Sequence, residues 1–192
     1  MEKEIEKAVG ILNEGGIVIF PTDTAFGIGC RIDNEESVER LFKIRKRPND
    51  MAVPVLVNSI KMAKSYLENV DEKVLGLMNK YWPGALTIVL DCDKKLVHEL
   101  VRGGGSTIGV RMPDHSDLLE LISDVGVPIL GPSANFHGES TPYLVEDLDP
   151  ELIRLADYVL SGGTKETKNV STVIDCTKDP WKMLRQGAIK ID

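Results

Sequence analysis

Hydroxyl residues, asparagine and arginine recur where short apolar segments of this sequence begin or end. Hydroxyl and backbone N–H groups can donate hydrogen bonds to phosphate oxygens, and arginine can bind a carboxylate or phosphate through two parallel hydrogen bonds. The residues of this set are Thr22, Thr24, Thr107, Arg111, Ser133, Asn135, Ser171, Thr172 and Arg185. Because ligands of open α/β sheets bind in the crevice at strand ends, the set predicts an anion-binding site. Any one member alone is as typical of an ordinary turn.

A cationic stretch follows the second predicted helix and admits two interpretations. It reads Lys43-Ile44-Arg45-Lys46-Arg47-Pro48. Basic side chains at a helix C-terminus complement the helix dipole, and the same side chains can bind a polyphosphate. The residues alone leave both interpretations open.

Two common nucleotide-binding motifs are missing from the sequence. It contains neither G-x-x-x-x-G-K-[ST] nor G-x-G-x-x-G after a strand. The run Gly103-Gly104-Gly105-Ser106-Thr107 can form a phosphate-binding nest, although glycine runs are more often mobile loops. We therefore expect an anion-binding protein with neither a metal site of its own nor a nucleophilic triad.

Helical and strand patterns alternate along the chain and predict an α/β fold. The predicted helices are residues 2–13, 35–44, 116–123 and 150–156, with two more beginning after Ser59 and Asp71. The predicted strands are residues 17–20, 53–57, 85–90, 107–111, 127–130, 158–160, 171–175 and 183–185, the last continuing through residues 188–191. Several strands are too closely spaced for crossover helices. We therefore expect one domain, residues 1–192, with a twisted, mixed parallel and antiparallel sheet and flanking helices.

Charge and cysteine content exclude several classes of protein. The chain has 192 residues and a net charge of 23 − 30 = −7, a poor match for a general nucleic-acid coat. Its three cysteines form no C-x-x-C pair, which is typical of reduced thiols in a cytosol. We see no apolar run long enough to span a membrane and no secretory signal at the start, so we expect a cytoplasmic protein.

Seven segments taken together resemble the threonylcarbamoyl-AMP synthase family, also called YrdC-like. They begin at Phe20 (FPTDTAFGIGC), Ile44 (IRKRP), Tyr81 (YWPGALT), Gly109 (GVRMP), Gly131 (GPSAN), Ser171 (STVID) and Leu184 (LRQGAI). The resemblance covers almost the whole chain, and the P-T-D-T, W-P-G and P-S-A-N segments are highly specific in combination.

The resemblance implies a reaction and a fold. The family fold is a twisted α/β sheet around a large, positively lined cleft. L-Threonine and bicarbonate combine as an N-carboxylate, which attacks the α-phosphate of ATP, and pyrophosphate leaves. Mg²⁺ accompanies the nucleotide. The product, threonylcarbamoyl-AMP, passes to a tRNA threonylcarbamoyl transferase complex that forms N6-threonylcarbamoyladenosine.

The resemblance also implies roles for individual residues. The L-threonine contacts are Thr24, Arg111, Gly131 and Ser171. The ATP contacts are Arg47, Met51, Thr107, Ser133, Thr141 and Arg185. The residues expected to act in catalysis are Arg45, Arg47, Ser133 and Asn135. Catalysis would consist of positioning and electrostatic stabilisation without a covalent enzyme intermediate.

Three positions depart from the family pattern and support an alternative. Arg45 stands where the pattern has Lys, and Ala52 and Leu56 stand where Pro and, in some members, His are expected. Arg at the first of these positions is typical of a YciO-like branch, which suggests a nucleotide-binding or double-stranded-RNA-binding protein. The net charge of −7 and an aromatic content of 5% argue against broad RNA binding. Because Arg47 and the S-x-N segment remain, we favour the synthase, and we expect a monomer that works without the C-terminal domain of longer relatives.

Overall fold

The computed structural model describes residues 1–165 and 168–191. These residues contain six α-helices and nine strands. The helices are α1 (Glu2–Asn13), α2 (Glu35–Ile44), α3 (Ile60–Lys64), α4 (Glu72–Tyr81), α5 (Ser116–Val125) and α6 (Pro150–Leu155), with a 3₁₀ turn at Val145–Asp147. The strands are β1 (Val18–Pro21), β2 (Phe26–Gly29), β3 (Val55–Leu56), β4 (Leu86–Asp91), β5 (Thr107–Arg111), β6 (Ile129–Leu130), β7 (Tyr158–Val159), β8 (Thr172–Asp175) and β9 (Lys182–Arg185).

Polar side chains cap four helices at their N-termini, among them α2, α3 and α4. Asn34, Ser59 and Asp71 each accept a hydrogen bond from a backbone N–H of the first turn, at 2.9, 3.1 and 2.8 Å. Such a cap stabilises a helix by about 1 kcal/mol, because it pairs an N–H that has no partner within the helix. The predicted starts of α2, α3 and α4 are confirmed.

The strands divide between two sheets. One has three strands in the order β2-β1-β7, and the other has six in the order β6-β3-β5-β4-β8-β9. Both contain parallel and antiparallel pairs, so the predicted mixed character is confirmed. The prediction of one sheet was wrong, and β2 was missed because its two glycines obscure the strand pattern.

The predicted extension of the last strand through residues 188–191 was wrong. The backbone there bonds to a side chain of the neighbouring strand instead of continuing a ladder. Thr172 Oγ1 donates to the carbonyl of Ile189 and accepts from the backbone N–H groups of Gly187 and Ile189. These bonds satisfy the local backbone without a strand.

Alternation along the central strands separates an apolar face from a face that carries polar groups. Val55, Ile88 and Val110 point into the larger hydrophobic core with α2 and α4. The neighbouring residues Thr87 and Arg111 point to the opposite face, since successive side chains of a strand alternate. This face looks towards the loops of the three-stranded sheet.

Close backbone contact joins the two sheets at β2. Gly27 bridges Ser133, and the backbone N–H of Ile28 donates to the carbonyl of Pro132. A Cβ on Gly29 would lie 1.7 Å from the carbonyl oxygen of Leu130, so only glycine permits this approach. The contact brings the segment around Ser133 against β2.

Candidate active site

A cleft of about 190 Å³ lies between the two sheets and gathers most of the predicted site residues. Nine of the twelve line it: Thr24, Arg45, Arg47, Arg111, Gly131, Ser133, Thr141, Ser171 and Arg185. None of the lining residues in the described part of the chain is Asp, Glu or Lys. Four arginines therefore face one cavity in a protein whose net charge is −7.

A hydroxyl-centred turn after β1 positions Thr24. Thr22 Oγ1 donates to the carbonyl of Ala25 at 2.8 Å and accepts from the backbone N–H of Thr24 at 3.0 Å. Thr22 and Thr24 are each 4% exposed, so the turn is held inside the protein. The Thr24 hydroxyl consequently has a fixed position beside the end of β5.

Arg111, the last residue of β5, is held by three acceptors. Its Nε donates to the carbonyl of Gly84 at 3.0 Å, its Nη1 donates to Thr24 Oγ1 at 2.9 Å, and its Nη2 forms an ion pair with Asp23. Burial lowers the pKa of Arg111, and the carboxylate of Asp23 opposes that shift. Because a guanidinium has five N–H donors, two remain for a ligand.

Sequence reasoning missed Asp23 as a site residue. It lies inside the P-T-D-T segment, in which the family resemblance implies a ligand contact only for Thr24. The signal in the sequence was the carboxylate itself, the one charged residue within residues 20–30, because a buried carboxylate is almost always paired.

Arg45 is a buried cation without a counter-ion. It is 3% exposed, and none of the ion pairs found in the described residues includes it. Its Nε and Nη2 donate to the backbone and side-chain oxygens of Asn135 at 3.1 and 3.3 Å, whereas Nη1 has no partner within residues 1–165 and 168–191. Burial, and secondarily the charge of Arg47, lower the pKa of Arg45 to about 10. The residue is still charged at neutral pH, and its environment favours an anionic ligand.

Asn135 lies behind the cleft and holds two residues that line it. Its Oδ1 accepts from Ser133 Oγ at 2.6 Å as well as from Arg45, and its Nδ2 donates to the carbonyl of Glu139 at 2.8 Å. This arrangement suits a positioning role for Asn135.

Arg185 reaches the cleft from the edge strand β9. Its Nε and Nη2 donate to the backbone and hydroxyl oxygens of Ser171, both at 2.9 Å. Ser171 Oγ lies 2.9 Å from Thr87 Oγ1, and Thr87 also lines the cleft. Thr87 was missed, although strand alternation between Leu86 and Ile88 would have placed its side chain on the polar face.

Met51 and Thr107 do not line this cleft. Arg47 donates to the carbonyl of Met51 at 2.9 Å, and Met51 itself is 41% exposed. Thr107 pairs with Asp91 at the other end of β5, four residues from Arg111 and so about 13 Å away. The predicted ATP contacts of these two residues stay predictions.

Neither a metal cluster nor a membrane span occurs in the described residues. No three or more His, Cys, Asp or Glu side chains there are grouped so that they could hold a metal ion. None of the helices formed by these residues has the length and apolar character required to cross a bilayer.

A family model named Sua5_yciO_yrdC, described as telomere recombination, matches residues 10–187. The chain belongs to this family. Its α/β fold is likewise that of solved members. Superposition on P. abyssi Sua5 complexed with L-threonine gives a TM-score of 0.90 at 32% identity, covering 97% of this chain and 55% of that one. Superposition on E. coli YciO gives a TM-score of 0.87 at 28% identity, covering 97% and 90%.

Curated family members include enzymes. The chain is 34% identical over 188 residues to a threonylcarbamoyl-AMP synthase of Bacillus subtilis, covering 98% of this chain and 54% of that protein. The chain thus spans about half the length of this relative and of P. abyssi Sua5.

Proposed function

We propose that this Sua5/YciO/YrdC family protein is an L-threonylcarbamoyladenylate synthase. It joins L-threonine, bicarbonate and ATP into threonylcarbamoyl-AMP, pyrophosphate and water, for N6-threonylcarbamoyladenosine formation in tRNA. The observation that carries the proposal is Arg45, a buried charged group with an unused N–H pair in a cleft lined by three further arginines. A polyanionic substrate supplies the negative charge that this cleft lacks.

The threonine subsite lies around Arg111. Its two remaining N–H groups bind the substrate carboxylate, and Thr24, Gly131 and Ser171 surround the rest of the amino acid. The relationship to P. abyssi Sua5, which was crystallised with L-threonine, supports an amino acid in this part of the cleft.

The nucleotide subsite lies around the other three arginines. Arg45, Arg47 and Arg185, with Ser133 and Thr141, bind the phosphates of ATP, while Met51 and Thr107 contact outer parts of the nucleotide. The first five of these residues line the cleft, whereas Met51 and Thr107 match the family pattern only. Asn135 maintains the positions of Arg45 and Ser133.

The chemistry needs no covalent enzyme intermediate. The threonine amine attacks bicarbonate, and loss of water gives an N-carboxylate. An oxygen of this carboxylate then attacks the α-phosphorus, and the bond from that phosphorus to the β-phosphate oxygen breaks. Negative charge grows on the departing pyrophosphate, where arginine N–H groups stabilise it.

Mg²⁺ enters with the nucleotide in this proposal. Mg²⁺ is commonly held by substrate phosphates together with only one or two protein carboxylates. The described lining residues include no carboxylate, so the phosphates themselves would hold the ion. Bound there, it would neutralise phosphate charge.

The remaining parts of the proposal concern the cellular setting. The protein acts as a cytoplasmic monomer and passes its product to a tRNA threonylcarbamoyl transferase complex. Direct contact with tRNA or other double-stranded RNA is part of the alternative, a YciO-like binding protein. Arg45 at the first position of the K-x-R pattern and the similarity to E. coli YciO favour that alternative.

Pyrophosphate release tests the proposal directly. The purified chain is assayed with ATP, Mg²⁺ and bicarbonate, with and without L-threonine. Release that requires both threonine and bicarbonate establishes the synthase. Nucleotide binding without turnover would favour the YciO-like alternative, and salt-sensitive RNA binding without nucleotide binding would favour an RNA-binding module.

A further inference from the structure

Two buried hydroxyl groups form a pair at the wall of the cleft. Thr87 and Ser171 are 4% and 7% exposed, both line the cleft, and their hydroxyl oxygens lie 2.9 Å apart. Ser171 Oγ also accepts from Arg185 Nη2 at 2.9 Å. Thr87 Oγ1 makes no further hydrogen bond to the described residues.

One O–H group of this pair has no acceptor among the described residues. The two hydroxyls carry two hydrogens, and one of these lies between the two oxygens. The guanidinium of Arg185 can only donate, so it does not use the other hydrogen. Whichever hydroxyl donates to its neighbour, one O–H is left for a group inside the cleft.

An apolar residue lies on the other side of Arg111. Leu56 is the register partner of Arg111 in the parallel pair of β3 and β5. Ile88 pairs with Val110, so continuing that antiparallel register by one residue sets Thr87 opposite Arg111. The neighbouring strands β3, β5 and β4 thus form a row of three side chains. In order, these are apolar Leu56, cationic Arg111 and the hydroxyl residue Thr87.

The side chain of Leu56 forms an apolar part of the cleft wall at one end of this row. It is 2% exposed and lines the cleft. A Cβ at Gly131 would lie 2.4 Å from Leu56 Cδ1, so the glycine leaves this side chain its space. The wall can therefore contact a small apolar group of a ligand bound to Arg111.

We propose that the Thr87–Ser171 pair binds the β-hydroxyl group of the amino acid substrate and that Leu56 contacts its β-methyl group. This inference rests on the proposed function and names the residues that select threonine. Valine would leave the hydroxyl pair without its partner, and serine would leave a gap beside Leu56. A site built to pair a substrate hydroxyl rejects the analogue that lacks it.

The test compares amino acids and matched variants in the pyrophosphate assay. For the wild type we expect kcat/KM to favour L-threonine over L-valine and over L-allo-threonine, in which the β-hydroxyl and β-methyl groups are exchanged. Thr87→Val keeps the side-chain shape and should lower the threonine-to-valine ratio by about 10-fold or more. Thr87→Ser restores the hydroxyl and should retain most of the ratio. Thr177→Val, at a hydroxyl that donates to Asp175 in the turn after β8, should leave the ratio unchanged.

Three results would overturn the inference: an unchanged ratio in Thr87→Val, an equal loss in Thr87→Ser, or equal use of threonine and allo-threonine by the wild type. The last measurement needs no variant and so does not depend on the folding of one. A wild type that is inactive with every amino acid would contradict the proposed function instead. Calorimetric binding of L-threonine, L-allo-threonine and L-valine to the wild type would then decide whether the row selects threonine.

Discussion

Asp23 and Arg111 form an ion pair in which both residues are almost fully buried, at 5% and 6% exposure. The pair joins the loop after β1 to the end of β5. Asp23 gives Arg111 a counter-charge. Together with the acceptors on Gly84 and Thr24, it fixes the orientation of the guanidinium and so the direction of its two remaining N–H bonds. Asp23 therefore contributes to the stability of the fold and also orients Arg111 for the proposed binding of a substrate carboxylate.

Asp23→Asn should destabilise the protein, because it leaves the charge of Arg111 buried without its partner. We expect a loss of about 3–5 kcal/mol in the free energy of unfolding, measured by urea denaturation. Asp23→Asn combined with Arg111→Met should lose less than the sum of the two single variants. Strictly additive losses would show that the pair is not coupled.

Arg111→Ala and Ser133→Ala should affect different substrates. Arg111→Ala is expected to raise the KM for L-threonine by about 10-fold or more while ATP binding persists, because a charged hydrogen bond to the carboxylate is lost. Ser133→Ala should raise the KM for ATP and leave that for threonine near its original value. Steady-state kinetics with each substrate varied in turn provide the measurement, and circular dichroism checks that both variants fold. Wild-type rates in both variants would refute the site assignment.

Arg45→Met should separate stability from ligand binding. The substitution removes a buried charge that lacks a counter-ion, so we expect the free energy of unfolding without ligand to be unchanged or higher by about 1 kcal/mol. ATP affinity should fall by about 10-fold or more, since the free N–H groups of Nη1 are lost. Chemical denaturation and ATP titration measure the two quantities. A large loss of stability would instead assign Arg45 a structural role.

The free energy of unfolding of the wild type, relative to that of Arg45→Met, should increase at high pH. Burial lowers the pKa of Arg45 to about 10, below its value in the unfolded chain. Above this pH the unfolded state binds more protons than the folded state, so the contribution of Arg45 to the free energy of unfolding increases with pH. Parallel denaturation of both proteins from pH 8 to about pH 11 measures the difference. A constant difference across this range would argue against the lowered pKa.

Local features of the fold were predictable because their determinants are neighbours in sequence. The apolar spacing of α1 and the caps Asn34, Ser59 and Asp71 each act within one or two turns of a helix. The missed strand β2 and the absent strand at residues 188–191 depend instead on distant partners. β2 pairs with β1 and contacts the segment around Ser133, while residues 187–189 bond to Thr172.

The sequence by itself determined the α/β class, the family resemblance and the residue types of the site. Its hydroxyl and arginine residues at strand ends predicted an anion-binding site, because each type has a fixed donor set. Tertiary structure alone decided which of these groups is already occupied. Arg111 is paired with Asp23, Arg45 has no counter-ion in the described chain, and Thr87 lies within hydrogen-bonding distance of Ser171, 84 positions away in the sequence. Such distinctions depend on sheet register and loop contacts, which are set by packing of the whole chain.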